Sequence, residues 1–253
     1  MASPTALLNQ SARLEPRPAR WRVGLIALAT DHTSERDFAA MRPSDDLAVY
    51  VNRVPFANPA TKENLMAMRP LLTEAAELIL PGEPLDAIAY SCTSASAIIG
   101  DAAVRDAIQA AKPQVPVITP TSASFAAFEA LDARKVSVLT PYTEAVTEAL
   151  VRYFESGGLE ILNASCFGLA DDREMARVLP DSIVAAAGEV CHPQAEALFI
   201  SCTAVRAVAV AQVIEDRLGI PVVTSNQAMF WQTIRQAGCA LSVSGFGRLP
   251  QAH

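Results

Sequence analysis

Basic residues are too few to balance the acidic ones: 20 Lys and Arg stand against 27 Asp and Glu, leaving a net charge of −7 and a sequence pI near 5.0. No basic stripe is available to neutralise phosphates, which excludes nucleic acid as a partner. Long hydrophobic runs are missing too; none approaches the roughly 20 residues a bilayer span needs, and the mean hydropathy of +0.23 comes from alanine. A membrane partner is excluded on that ground. Cys92, Cys166, Cys191, Cys202 and Cys239 form no Cys-x-x-Cys pair and show no Cys/His spacing, so no zinc site is written into the chain. The first 20 residues lack the basic start and apolar stretch of a secretory signal and read, with Glu15 and their prolines, as a disordered tail. A cytoplasmic setting is the expectation, with the five cysteines reduced. Any chemistry they do is thiol chemistry.

What is present is apolar residues, 51% of the chain, arranged from Trp21 onward as short aliphatic runs alternating with helical patterns. That alternation is the signature of parallel βαβ units and gives an α/β fold class. Strands are predicted at 23–28, 47–52, 87–91, 116–119, 136–140, 160–165, 197–201 and 221–224, two sets of four. In the same order, RVGLIALA matches KVSVLTPY, DAIAYSCTSA matches EALFISCTAV, and VPVITPTSASF matches IPVVTSNQAMF. Chance repetition of strand-turn-helix patterns explains one such match but strains to give Ser-Cys-Thr and Pro-Val-(Ile/Val)-Thr twice. An internal duplication follows: two pseudo-symmetric lobes, each a four-stranded parallel sheet flanked by helices. Lobe one is assigned to 21–121 and 225–253, lobe two to 122–224. The segment 122–133 would carry the chain into lobe two, and its counterpart 226–238 would return to pack on lobe one.

Ligands of doubly wound sheets lie beyond the carboxyl ends of the strands, where Cys92 and Cys202 both fall. If the lobes face one another, the two thiols share one cleft. Apolar stripes at Ala95, Ile98, Ile99, Ala102 and Ile108, and at Val205, Val208, Ala209, Val213 and Ile214, predict a helix directly after each cysteine. A helix N-terminus favours thiolate over thiol, and the backbone N–H groups of Thr93, Ser94, Thr203 and Ala204 would hold a substrate carboxylate. Cys166, Cys191 and Cys239 lack this setting and read as inert buried cysteines.

From Arg22 to Gly238 the chain resembles the aspartate/glutamate racemase superfamily, in the branch of maleate cis-trans isomerases and ectoine-utilisation protein A. The motifs that carry the resemblance are AYSCTSAS, LTPYTEAV, GLADDREMARV, LFISCTAVR and PVVTSNQA, with LATDHT typical of ectoine-utilisation protein A. It implies chemistry without cofactor or metal by Cys92 and Cys202 on a small carboxylic or amino acid. Arylmalonate decarboxylases keep only the second-lobe cysteine, so the pair argues against decarboxylation. Tyr142 matches a substrate-contacting tyrosine; its alternative is packing after a strand. Thr121 and Asn226 stand as polar liners or as simple turn residues.

Where the isomerases carry asparagines, this chain has Asp31 and Asp172. Carboxylates there would repel a dicarboxylate and raise the thiol pKa values, which favours a substrate bearing an ammonium group. Both aspartates are also suited to capping helices, Asp172 above all. The racemases' histidine two residues after the second cysteine is here Ala204, leaving helix ends or His32 to activate the thiols; His192 reads as surface. The leading expectation is an amino-acid racemase or epimerase, with a role in ectoine breakdown implied by resemblance alone. Its alternatives are maleate isomerisation, with Cys92 adding and Cys202 protonating, and a two-lobed binder of small acids without chemistry. Met229, Phe230 and Trp231 suit either an interface between copies of the chain or a core-facing helix.

Overall fold

A computed structural model describes residues 5–252. Its strands are β1 (Trp21–Leu28), β2 (Leu47–Val54), β3 (Ala87–Tyr90), β4 (Val117–Ile118), β5 (Lys135–Thr140), β6 (Glu160–Cys166), β7 (Ala197–Ile200) and β8 (Val222–Thr224). They form two four-stranded sheets in the orders β2-β1-β3-β4 and β6-β5-β7-β8, every pair parallel. Adding four to each strand number converts one sheet into the other, so the sequence repeat is a repeat of topology. Strand β1 is buried along its whole length, as a central parallel strand covered on both faces must be, whereas the edge strand β6 is largely exposed.

The repeated Pro-Val-(Ile/Val)-Thr has a local cause. Thr119 and Thr224 each cap the helix that follows, Pro120–Ala130 and Ser225–Gln236, and both make reciprocal capping boxes with Ser122 and Gln227. These two helices pack on each other between the sheets. Phe128 of the first meets Phe199 of the second sheet with ring centroids 5.9 Å apart, while Phe230 of the second meets Phe38 of the first lobe at 5.0 Å. One apolar core therefore runs through both lobes, and a second cluster covers the far face of the first sheet.

Met229, Phe230 and Trp231 are all buried, so the aromatic pattern there is core packing and supplies no interface between copies. Residues 5–20 form no helix or strand, although Arg17 bonds Asp86 at 2.7 Å and Arg20 lies over the Trp21 ring. The disordered-tail expectation for residues 1–4 lies outside the described residues.

The helical expectations need two corrections. After Cys92 a helix does begin, Thr93–Ile99, but it stops at Gly100, whose φ of +88° suits glycine, and a second helix runs Asp101–Gln109. Ala102 is exposed and Val104 is buried in its place. After Cys202 no α-helix begins. The chain passes through a turn and a short 3₁₀ segment, Val208–Val210, and only then enters the helix Ala211–Leu218, with Ala209 and Val213 exposed. No helix of the described residues is long and apolar enough to cross a membrane.

Candidate active site

At the carboxyl ends of both sheets lies a narrow cavity of about 20 Å³ bounded by both cysteines. Cys92, Thr93, Ser94, Asp31, Leu28, Phe56, Ala60 and Leu65 come from the first lobe, and Tyr142, Asp172, Met175, Cys202, Thr203 and Ala204 from the second. Cys92 and Cys202 are 5% and 7% exposed, so solvent barely reaches either sulfur.

The two Ser-Cys-Thr turns are built differently. Cys92 is the extended N-cap residue of Thr93–Ile99. Thr93 and Ser94 line the cavity, and their N–H groups open that helix, where no helical carbonyl can serve them. Cys202 adopts φ +90°, a left-handed conformation that side chains rarely take and that costs backbone energy. This twist turns the Ala204 N–H onto the Cys202 Sγ at 3.4 Å. That donor serves the sulfur and not a substrate carboxylate. Met175 Sδ packs 3.8 Å from the same sulfur.

Ser225 joins the two turns: its Oγ accepts from the Cys202 N–H at 3.0 Å and from the Thr93 hydroxyl at 2.9 Å. Thr203 Oγ1 donates to the Ser91 carbonyl at 3.3 Å, and Thr33 Oγ1 to the Ala204 carbonyl at 2.8 Å. Each lobe thus holds the other's cysteine turn.

Burial pushes the Cys92 thiol up to about 11; Asp172 and Asp31 raise it further, against the Ala95 N–H and the Ser94 hydroxyl. Burial likewise pushes Cys202 up to about 12, countered by the Ala204 N–H and the Tyr142 hydroxyl. The expectation that helix ends poise both sulfurs as thiolates is therefore corrected. Two or three donors do not replace the water removed, and only one of the turns has a helix end to offer. Tyr142 is itself held well above its ordinary range by burial and by Cys202, so it stays a hydroxyl donor at the cavity wall. Ser201 Oγ donates to it at 3.3 Å.

Both aspartates reach the cavity, in different ways. Asp31 Oδ1 accepts from the Thr33 and Ser34 N–H groups at 2.7 and 2.8 Å, and Oδ2 from the Ser34 hydroxyl at 2.6 Å, so it braces the start of the helix Ser34–Met41 while lining the site. Asp172 does not cap; Asp171 is the N-cap of the short helix Asp172–Met175. Asp172 instead crosses to the first lobe, accepting from Asn58 Nδ2 at 2.6 Å and from the Thr30 hydroxyl. Its own N–H donates to Asn58 Oδ1 at 3.2 Å, and the Ala60 N–H donates to the Ala170 carbonyl at 2.9 Å.

Two expected liners are elsewhere. Thr121 lies in the first turn of Pro120–Ala130 and donates to Asp101 Oδ1 at 2.5 Å, away from the cavity. Asn226 sits behind the wall, donating to the Thr203 carbonyl at 2.9 Å and to Asp37 Oδ2 at 2.8 Å. Asp37, buried beside it, is raised to about 7 by desolvation. His32 is exposed and does not line the cavity; Cys166, Cys191 and Cys239 are outside it as well. Thr30, Asn58 and Ser225 carry no local sequence signal, although Ser225 follows the second Pro-Val-Val-Thr and was open to notice there. Among the described residues no group of three or more His, Cys, Asp or Glu side chains converges to hold a metal ion.

A maleate isomerase of Nocardia farcinica is 26% identical over 239 residues, covering 90% of this chain and 94% of that protein. An arylmalonate decarboxylase of Bordetella bronchiseptica is 31% identical over 142 residues, covering 53% and 58%. Among solved structures, the Nocardia farcinica maleate cis-trans isomerase with a covalently bound succinylcysteine intermediate shares the fold at TM-score 0.84, with 24% identity, covering 91% of this chain and 98% of that one. Arylmalonate decarboxylase superposes at TM-score 0.77, with 24% identity over 92% of this chain and all of that one. The model of the arylmalonate decarboxylase family matches residues 71–250, most of the chain and both cysteine turns, and the chain belongs to that family.

Proposed function

We propose that this chain is a cofactor-independent isomerase that moves a proton between Cys92 and Cys202 across the α-carbon of a small amino acid. The observation that carries the reading is one buried cavity with a thiol from each lobe on its wall. One sulfur, as thiolate, takes the Cα proton, and the C–H electron pair passes into the substrate carboxylate, held by the Thr93 and Ser94 N–H groups. The other thiol then gives its proton to the opposite face of Cα. The enzyme ends with thiol and thiolate exchanged.

Asp31 and Asp172 on the cavity wall support an ammonium-bearing substrate, since a second carboxylate would meet two like charges. Because burial keeps both resting thiols protonated, one proton must leave the pair before turnover, and kcat/KM for the free enzyme rises with pH across the neutral range.

A second reading is favoured by the full-length likeness to maleate isomerases. There the Cys92 thiolate would add to the alkene of a cis-dicarboxylate, the displaced π pair would take a proton from the Cys202 thiol, rotation would follow about the new single bond, and return of that proton to Cys202 with loss of the sulfur would regenerate the double bond in trans. A place in ectoine breakdown is supported only by the LATDHT motif. Amino acids screened in deuterated water separate the readings. Deuterium wash-in at Cα, lost in Cys92→Ser and Cys202→Ser, supports proton transfer; conversion of maleate to fumarate without such exchange supports addition. Full activity in both variants overturns either mechanism.

A further inference from the structure

Beside the catalytic cavity, the same three segments of chain build a second concavity with a different chemistry. His32, Thr33 and Arg36 of the first lobe face Asp171, Arg173, Glu174, Ala176, Arg177 and Arg206 of the second across a groove of about 1080 Å³, counted out to open solvent. Four arginines and two carboxylates line it, on a protein whose net charge is −7. Both carboxylates are already engaged: Asp171 pairs with Arg173, and Glu174 lies 3.8 Å from Arg177. Arg36 and Arg206 have no carboxylate partner among the described residues. Arg206 spends one nitrogen on the Val178 carbonyl at 2.8 Å, and its buried Nε has no partner. One guanidinium without a carboxylate partner among the described residues thus comes from each lobe.

We propose that this groove is an anion site that bridges the lobes, taking a small oxyanion with two negative charges, a dicarboxylate or a phosphate, between Arg36 and Arg206. Guanidinium groups suit such ligands because their planar donors match carboxylate and phosphate oxygens. A bound anion adds to the ties that already join the lobes here. Thr33 bonds the Ala204 carbonyl, and Asp172, between groove residues Asp171 and Arg173, reaches Asn58 and Thr30. Occupancy therefore adds a further tie between the lobes beside Cys92 and Cys202 and restricts access to them, whichever reaction those thiols perform.

Inorganic phosphate, titrated by calorimetry at constant ionic strength, is the first probe. The expected result is saturable binding that weakens about tenfold in Arg36→Gln and further in Arg36→Glu, a charge-assisted bidentate contact being lost in each. Arg36 is exposed on its helix, so these variants fold; Arg206→Lys keeps the charge and retains binding better than Arg206→Gln. The second readout is alkylation of Cys92 and Cys202 by neutral iodoacetamide, which phosphate slows in the wild type and not in Arg36→Gln. Protection that persists undiminished in Arg36→Gln locates the anion in the catalytic cavity and overturns the proposal, as does wild-type protein that binds no phosphate. Repeating the titration with succinate separates the sources: tighter binding than phosphate assigns the groove to dicarboxylates, weaker binding to phosphate. Neither outcome depends on finding turnover, so failure here leaves the two-cysteine reading standing, and the converse holds.

Discussion

The turn at Cys92 and the turn at Cys202 share the letters Ser-Cys-Thr and a place at the end of the third strand of a sheet, yet their backbones diverge at the sulfur-bearing residue. Cys92 is extended and starts a helix whose first residues, Thr93 and Ser94, line the cavity. Cys202 is left-handed, starts no helix, and has the Ala204 N–H aimed at its own sulfur. The repeated topology places two thiols at equivalent strand ends, in unequal surroundings. The Cys92 side combines a thiol with the opening of a helix. The Cys202 side is a strained loop fastened from the opposite lobe through Ser225 and Asn226, and from its own through Tyr142.

Removing either sulfur has the largest expected effect. Cys92→Ser and Cys202→Ser are each expected to lower turnover about 10³-fold or more, the scale of losing a positioned acid or base. If one variant keeps near-normal activity, the pair is a single working cysteine and a bystander, which steady-state kinetics on purified variants decides.

Next in size is the support behind Cys202. Asp37 is raised to about 7 from an ordinary 3.8, so the folded state holds its proton where the unfolded chain has released it. The sign follows: with respect to this group stability is greatest below about pH 4 and falls as pH rises to about 7, by at most about 4 kcal/mol. Urea unfolding at pH 5 and pH 8 should show that decline in the wild type and a much flatter response in Asp37→Asn.

Ser225→Ala acts on both turns at once, because one oxygen serves them both. Leaving the buried Cys202 N–H and Thr93 hydroxyl without it should cost about 1–3 kcal/mol of stability. The activity loss should exceed what that cost explains, read as lower kcat in fully folded protein. The smallest effect concerns the thiols themselves. Burial raises both thiols, Cys202 further than Cys92, so Cys92 should hold more thiolate at neutral pH and alkylate faster under peptide mapping. Equal rates would mean that the backbone difference is without chemical consequence.

How far the sequence reaches follows the same contrast. All eight strands are legible because β-branched and aliphatic runs leave little alternative, and the repeat of motifs anticipates the repeat of sheet order. The helix expected after Cys202 is not there, because the alanines and valines of CTAVRAVAVAQV fit a helical stripe equally well in a buried turn. Local pattern carries no trace of a left-handed cysteine. Asp172 illustrates a second limit. Its neighbour Asp171 does the capping, and its own partners, Thr30 and Asn58, lie more than a hundred residues away in sequence, brought near only by the closing of one lobe on the other. Thr121 shows the reverse error: a hydroxyl expected on the cavity wall lies outside it, bonded to Asp101. The thiol pKa values were unreadable for a related reason, since burial outweighs the helix-end donors that sequence can suggest.

The most direct measurement asks whether one small space holds both sulfurs. In protein carrying Cys166→Ser, Cys191→Ser and Cys239→Ala, only Cys92 and Cys202 remain to react with iodoacetamide. A carboxamidomethyl group on either sulfur should fill the narrow space and shield the other, so intact mass is expected to plateau at a single adduct per folded chain, divided between the two peptides. A plateau at two adducts, reached with similar rates, would contradict a shared cavity.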